Sequence, residues 1–337
     1  MGRKKSTMTK LARLATVFLF AFVMFTLLNT GPAFSWGFWA HQRINRLAVF
    51  TLPPEMIGFY KEHLEFITEH AVDPDKRRYA VDDEAPRHYI DIDHYDEWPF
   101  DEVPHEWEDA VWKYSEDTLK AWGIVPWHIE VVMGRLTKAF ESQDTKRILQ
   151  LSADIGHYIG DGHVPLHTTE NYNGQLTGQR GIHGFWESRI PELYGDDYDY
   201  WTGKAEYVEE QNDFIWKFIL ESAKLAPEVL ELEQVLNNEW PTDKKYSFEE
   251  RGQGMMRVYS EAYSKEYSDR MDNMVEERMR SAIIGVGSMW FTAWVDAGQP
   301  SLTKLPEIEW SEEELKEMKK LDQKFQGGKI KGREHSH

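Results

Sequence analysis

The sequence predicts an all-α protein with a single multi-helix domain. Apolar residues recur at helical spacing in one segment after another between Pro53 and Ala297. No convincing strand ladder or internal repeat interrupts them. The chain has 337 residues, and removing an N-terminal leader leaves about 300, which suits one large domain or two small ones. We read one.

Residues 1–35 have the form of a secretory signal peptide. Met1-Gly-Arg-Lys-Lys is basic, Leu11 to Leu28 is apolar, and Ala33-Phe34-Ser35 is a small-residue cleavage site. The apolar run is short for a membrane anchor, which needs ~20 residues. The expected location is therefore secreted or periplasmic after signal-peptide cleavage. Cleavage after Ser35 makes Trp36 the first mature residue, with a free amine of pKa roughly 8 that readily gives its proton up to a cation.

Residues 36–310 form the expected helical domain. Pro53 to His70 places Met56, Ile57, Tyr60, Leu64 and Ile67 on one helical face. Val72 to Pro104 is less regular, and Tyr89 to Asp93 could be extended. Helical pattern resumes at His105 to Trp122, Pro126 to Ser142 and Thr145 to about Gly160. The glycines between Asn171 and Gly184 mark a loop. Two long helical patterns follow, Glu206 to about Leu236 and Phe248 to about Ala297, the second broken near Gly285-Val286-Gly287. The charged tail, residues 311–337, is expected to be flexible, with His335 and His337 as tail residues.

Composition narrows the chemistry. With no cysteine, disulfides and thiolate zinc sites are excluded, so any zinc must be held by imidazole, carboxylate or backbone groups. That donor set favours catalytic over structural use. A formal net charge of −19 argues against a broad nucleic-acid-binding surface but not against a small nuclease site, where metal ions supply the positive charge.

The densest chemistry lies in Ala153-Asp-Ile-Gly-His157-Tyr-Ile-Gly-Asp161-Gly-His163-Val-Pro-Leu-His167. His157 and Asp161 are four apart, so a helix projects both from one face toward a common ion. Neighbouring Leu151, Ile155, Tyr158 and Ile159 would bury that helix, and a buried carboxylate costs several kcal/mol unless paired or bound to metal. His183 and Glu187 repeat the spacing after the loop. Each pair alone fits a solvated face or a satisfied core histidine; two pairs plus His167 and an N-terminal Trp favour metal.

On these residues the sequence resembles the superfamily of zinc-dependent phospholipases C and the fungal and plant single-strand-specific nucleases. Its His-x-x-x-Asp-x-x-x-Pro-x-His segment is met by His157, Asp161, Pro165 and His167, its His-x-x-x-acid segment by His183 and Glu187, and its opening Trp and His by Trp36 and His41. The resemblance implies a mostly helical domain with a trinuclear zinc cleft. One Zn2+ ion would be held by Asp75, His88, His157 and Asp161. A second would use the Trp36 amine and carbonyl, His41 and a bridging Asp161, and the third His167, His183 and Glu187. Asp75 is preferred to Asp73 because Pro74, Asp75 and Arg78 reproduce the family's Pro-Asp-x-x-Arg. His163 departs from ligand spacing and is expected in a supporting position or at a helix end.

The implied activity is phosphodiester hydrolysis by zinc-activated water, with Asp75 as a candidate catalytic residue orienting that water. Tyr89 and Asp91 occupy the places where the nucleases stack on and hydrogen-bond a base, stacking being worth about 1–3 kcal/mol per base. The short spacing from Trp36 to His41, with His163 and Trp186, is also nuclease-like. Glu187 is instead the acid of the phospholipases. The loop from Asn171 to Ile182 lacks the nuclease Gly-Gly-Asn and Asn-Leu-His elements, and Lys76 replaces the aromatic of the best-known phospholipases. The expected partner is thus a phosphodiester substrate, single-stranded nucleic acid or a phospholipid head group, with no obligate protein partner evident. The alternative is a non-catalytic metal-buffering or surface-binding zinc protein.

Overall fold

The computed structural model describes residues 37–330 except 252–253, 304, 307 and 329. The proposed signal peptide, Trp36, His335 and His337 lie outside the described residues. The chain is mostly helical and forms one compact domain. None of its described helices is long and apolar enough to cross a membrane.

Helix α1 (Gly37–Ala48) leads into α2 (Pro54–Glu62) and α3 (Leu64–Glu69). The pattern from Pro53 to His70 is therefore two helices, parted at His63, whose φ of −104° leaves the helical region. The short α4 (Asp73–Arg77) is followed by two 3-10 turns, Ala85–His88 and Ile92–His94; Tyr89 between them is extended, and the second turn takes up the end of the run that could be extended. Helices α5 (Trp107–Tyr114) and α6 (Glu116–Trp122) divide the next pattern at Ser115, which takes φ 72° and caps α6 by accepting from Thr118 N–H. Helices α7 (Val125–Glu141) and α8 (Thr145–Gly162) follow as expected.

Helix α8 is the axis of the molecule. Asp144 caps it by accepting from Arg147 N–H at 3.1 Å, and Ile148, Leu149, Ile155 and Ile159 are buried without exposure. Two glycines let α1 lie close against it. A Cβ on Gly156 would stand 2.0 Å from Asn45 Oδ1, and one on Gly160 2.9 Å from His41 Nδ1. Asn45 uses the space to donate to Ala153 O at 3.0 Å.

After the loop, α9 (Ile182–Gly184) runs through a π-helical turn, Phe185–Arg189, into α10 (Ile190–Tyr194). The long α11 (Gln211–Glu239) starts later than the pattern from Glu206 suggested. The single helix expected from Phe248 to Ala297 does not form. An antiparallel hairpin, β1 (Tyr246–Arg251) and β2 (Gly254–Tyr259), precedes α12 (Glu261–Arg270) and α13 (Met274–Asp296). Gly252-Gln-Gly254 breaks the helical period there, and the hairpin is fastened to the body: Tyr259 stacks on Phe185 at 3.8 Å, and Arg189 donates to Glu249. Conversely, α13 does not break at Gly285-Val286-Gly287. Gly287 is a contact residue, since a Cβ there would fall 1.9 Å from Thr51 Oγ1.

The main core joins α1, α2, α7, α8, α11 and α13. Trp290 stacks on Tyr60 at 4.9 Å and donates to Ser152 O, so its polar edge is satisfied where its ring is buried. A smaller core gathers Phe185, Tyr259, Tyr263 and Tyr267 under the hairpin. The charged tail also departs from expectation over its described part: Glu312–Gln326 forms α14, started by a capping box between Ser311 and Glu314. Its buried Phe325 packs on Phe38 and Tyr79.

Candidate metal centre

Five other segments of the chain meet the C-terminal half of α8. His41 comes from α1, Asp75 from α4, and His88 ends the 3-10 turn Ala85–His88. His157 and Asp161 lie one turn apart on α8, His167 is in the 3-10 turn Pro165–Thr168, and His183 and Glu187 lie one turn apart after the loop. Three groups could each hold a metal ion: His41, His157 and Asp161; Asp75, His88 and His157; His167, His183 and Glu187. Within each group the donor atoms lie within 4.8 Å of one another.

Asp161 joins the first two of these groups. Its Oδ2 stands 2.9 Å from His88 Nδ1 and 3.2 Å from His157 Nε2, and its Oδ1 is 3.4 Å from both His41 Nε2 and His167 Nδ1. Asp75 Oδ1 is 3.8 Å from His88 Nδ1 and from His157 Nε2. Asp73 instead pairs with His70 and Lys76, so the structure brings Asp75 and not Asp73 to the centre.

The outward ring nitrogens fix which tautomers face inward. His157 Nδ1 lies 2.9 Å from Ala71 O, His167 Nδ1 2.8 Å from His88 O, and His183 Nδ1 3.3 Å from Tyr172 O. A neutral imidazole that donates outward carries its lone pair on the inward nitrogen. His167 Nε2 and His183 Nε2 then face each other at 3.3 Å with Glu187 Oε2 2.7 Å from His183. Such lone pairs repel unless a proton or a metal ion lies between them. This donor set fits zinc, which takes imidazole nitrogen and carboxylate oxygen.

Without metal, the buried carboxylates and imidazoles favour each other's charged forms. Burial alone would raise Asp161, but the charges of His157 and His167 hold it well below the usual carboxylate range. Burial lowers His157, and the charges of Asp161 and Asp75 reverse that, pushing it up to about 9. Glu187 is likewise held low, against burial, by His183 and His167. Any ion that binds must therefore displace the proton that these carboxylates favour on His157 and His167.

Solvent reaches one side. Asp75 is 19% exposed and Glu187 12%, whereas the other donors are closed off. Buried Arg78 stands 3.8 Å from Asp75 and also feels the charges of Asp161 and Glu187. Tyr89 and Asp91 are buried directly after His88. The Tyr89 ring lies against Gly123, and Asp91 N–H donates to Trp122 O. His163 caps the end of α8, with Nδ1 2.7 Å from Ile159 O and its ring on Phe218, the helix-end position its spacing predicts.

Other contributors escaped the sequence reading. Asn173 Oδ1 accepts from Gly181 N–H and His183 N–H, shaping the loop that delivers His183. Gln179 donates to the buried Glu233, which also receives Lys245 and Tyr263 and so ties that loop to α11 and the hairpin. Asn173-Gly174 was a readable turn signal; Glu233, in mid-helix, gave none. No known protein-family model and no curated protein matches this chain.

Proposed function

We propose that the chain is an exported zinc-dependent phosphodiester hydrolase with a trinuclear zinc cleft, akin to the phospholipase C and single-strand nuclease superfamily its motifs resemble. The observation that carries the reading is Asp161, one carboxylate among four imidazoles, with its two oxygens turned to different ligand groups. Donors that share one carboxylate suit adjacent ions. When bound, zinc would supply Lewis acidity and a water acidified to a pKa of roughly 7.

The chain's own residues account for the rest. Asp75, the most exposed donor carboxylate, can accept a hydrogen bond from a water and orient it. Arg78 places a guanidinium beside Asp75, where a phosphate oxygen would meet a donor fork. His157, His167 and His183 are each held by a backbone carbonyl, so these three rings need little reorganisation when a ligand binds. Export would supply the last donor, the Trp36 amine.

The deciding experiment is a hydrolysis panel of single-stranded DNA, RNA, phosphatidylcholine and small phosphodiesters with zinc-loaded protein. Cleavage of any of them that chelator abolishes supports the reading, and the preferred substrate names the class. Zinc retention with no hydrolysis across the panel overturns it in favour of metal buffering. Sequencing of exported material should read Trp-Gly-Phe-Trp from residue 36.

A further inference from the structure

Five imidazoles crowd the centre, and three turn their outward nitrogen to a backbone carbonyl. His88 is built differently. Its inward atom is Nδ1, 2.9 Å from Asp161 and 3.1 Å from His157 Nε2. Its outward Nε2 is buried with no hydrogen-bond partner among the described residues. The group it faces is a carboxylate, Glu84 Oε1, at 3.9 Å.

Glu84 has no exposed surface. It receives Tyr158 OH at 2.5 Å, Arg87 NH1 at 2.6 Å and Arg77 Nε at 3.3 Å. Each donor neighbours a candidate ligand: Arg77 comes two residues after Asp75, Arg87 precedes His88, and Tyr158 follows His157. One buried anion thus gathers the three segments that supply one ion's ligands. A carboxylate kept ionised in the interior needs such donors to offset its desolvation.

We propose that Glu84 is a positioning residue of the metal centre, accepting the Nε2 proton of His88 and so fixing the tautomer whose Nδ1 lone pair faces the ion. The inference rests on reading Asp75, His88 and His157 as ligands. Donor atoms 2.0–2.1 Å from a tetrahedral zinc stand about 3.3 Å apart. His88 Nδ1 is closer than that to both Asp161 and His157, so an ion held by these residues would require them to spread, and a His88 ring that moved outward would carry Nε2 toward Glu84. A charged acceptor also makes the imidazole a stronger donor to metal than a carbonyl does.

The test uses zinc alone as the probe, on the full mature chain. In the zinc-loaded protein with 15N-labelled histidine, His88 should show a protonated Nε2 whose proton is shifted downfield and protected from exchange. Glu84→Gln should move that proton upfield and weaken zinc binding about 10–100-fold in a chelator competition. Tyr158→Phe, which removes one donor to Glu84 but leaves the carboxylate, should stay within about threefold of wild type, whereas a merely structural network would loosen in both variants. Zinc binding by Glu84→Gln equal to wild type overturns the proposal. So does a His88 ring without a proton on Nε2 in the unaltered protein, which decides the matter even if the variants fold poorly. His88→Ala separates the two levels. Loss of a zinc ion there, with none in Glu84→Gln, sinks the role of Glu84 alone; no loss in His88→Ala sinks the ligand reading beneath it.

Discussion

Replacing a single atom at Asp161 tests the centre most directly. Asp161→Asn keeps the volume but removes the negative charge shared by four imidazoles, so metal should be lost from two groups together. Elemental analysis should fall by more than one ion per chain and hydrolysis should collapse. Helical circular dichroism should persist, because Ile155, Tyr158 and Ile159 still bury α8. Glu187→Asp keeps the charge and should affect only the group it shares with His167 and His183. A different residue reports on acid. Burial, assisted by the charge of Arg87, holds buried His128 down at about 3, against roughly 6.5 when unfolded. Between those values the unfolded chain binds the proton and the folded chain does not, so stability falls as pH falls, by up to about 1.4 kcal/mol per unit. His128→Phe keeps an aromatic against Tyr158 and removes this titration. Denaturant unfolding at pH 7 and 5 should show wild type losing about 2 kcal/mol more than the variant; equal losses would mean that His128 is charged in the folded state. Residues such as His157, Asp161, His183 and Glu187 were legible because a helix converts four-residue spacing into proximity. Glu84 and Glu233 were not, because their roles arise from chain segments that meet only after folding.

Among the elements, α8 shows how the same substitution can act in two ways. Gly156→Ala places a methyl 2.0 Å from Asn45 Oδ1 and should displace its bond to Ala153 O. The loss from overpacking should exceed the ~1 kcal/mol gained in helix propensity, giving a net destabilisation of about 1–3 kcal/mol. Gly160→Ala presses on the His41 ring, which stacks on His157 at 3.9 Å. It should lower metal content more than it lowers the stability of the metal-free protein. Unfolding curves and elemental analysis of the two variants check the contrast, and identical profiles would refute it. Helices α7 and α8 were readable from their period because each has one long buried face. The hairpin was not, because residues 246–250 and 254–259 are mostly only partly buried and alternate weakly, so glycines rather than hydrophobic period marked it. Helix α14 was hidden by its charge; a single aromatic, Phe325, and a capping box hold it in place.

At the scale of the whole molecule, the chain has no disulfide, and its candidate ligands run from His41 to Glu187. Metal held there ties six segments at once, so a chelator should lower the unfolding temperature sharply. Each site filled at a hundred times its dissociation constant adds about 2.7 kcal/mol, and unchanged unfolding with and without chelator would show that metal contributes nothing. The helical class was legible because burial of one face per helix dominates the sequence; the order in which the helices pack was not. One hydrogen bond crosses the centre, from His167 Nδ1 to the backbone oxygen of His88. It makes the ligand of one group lean on the main chain of another, so a shift of either group on binding moves both. Metal uptake should therefore be cooperative. At half the saturating zinc, native mass spectrometry should find chains that are empty or full, with partly loaded forms scarce; a binomial spread of occupancies would show that the groups fill independently.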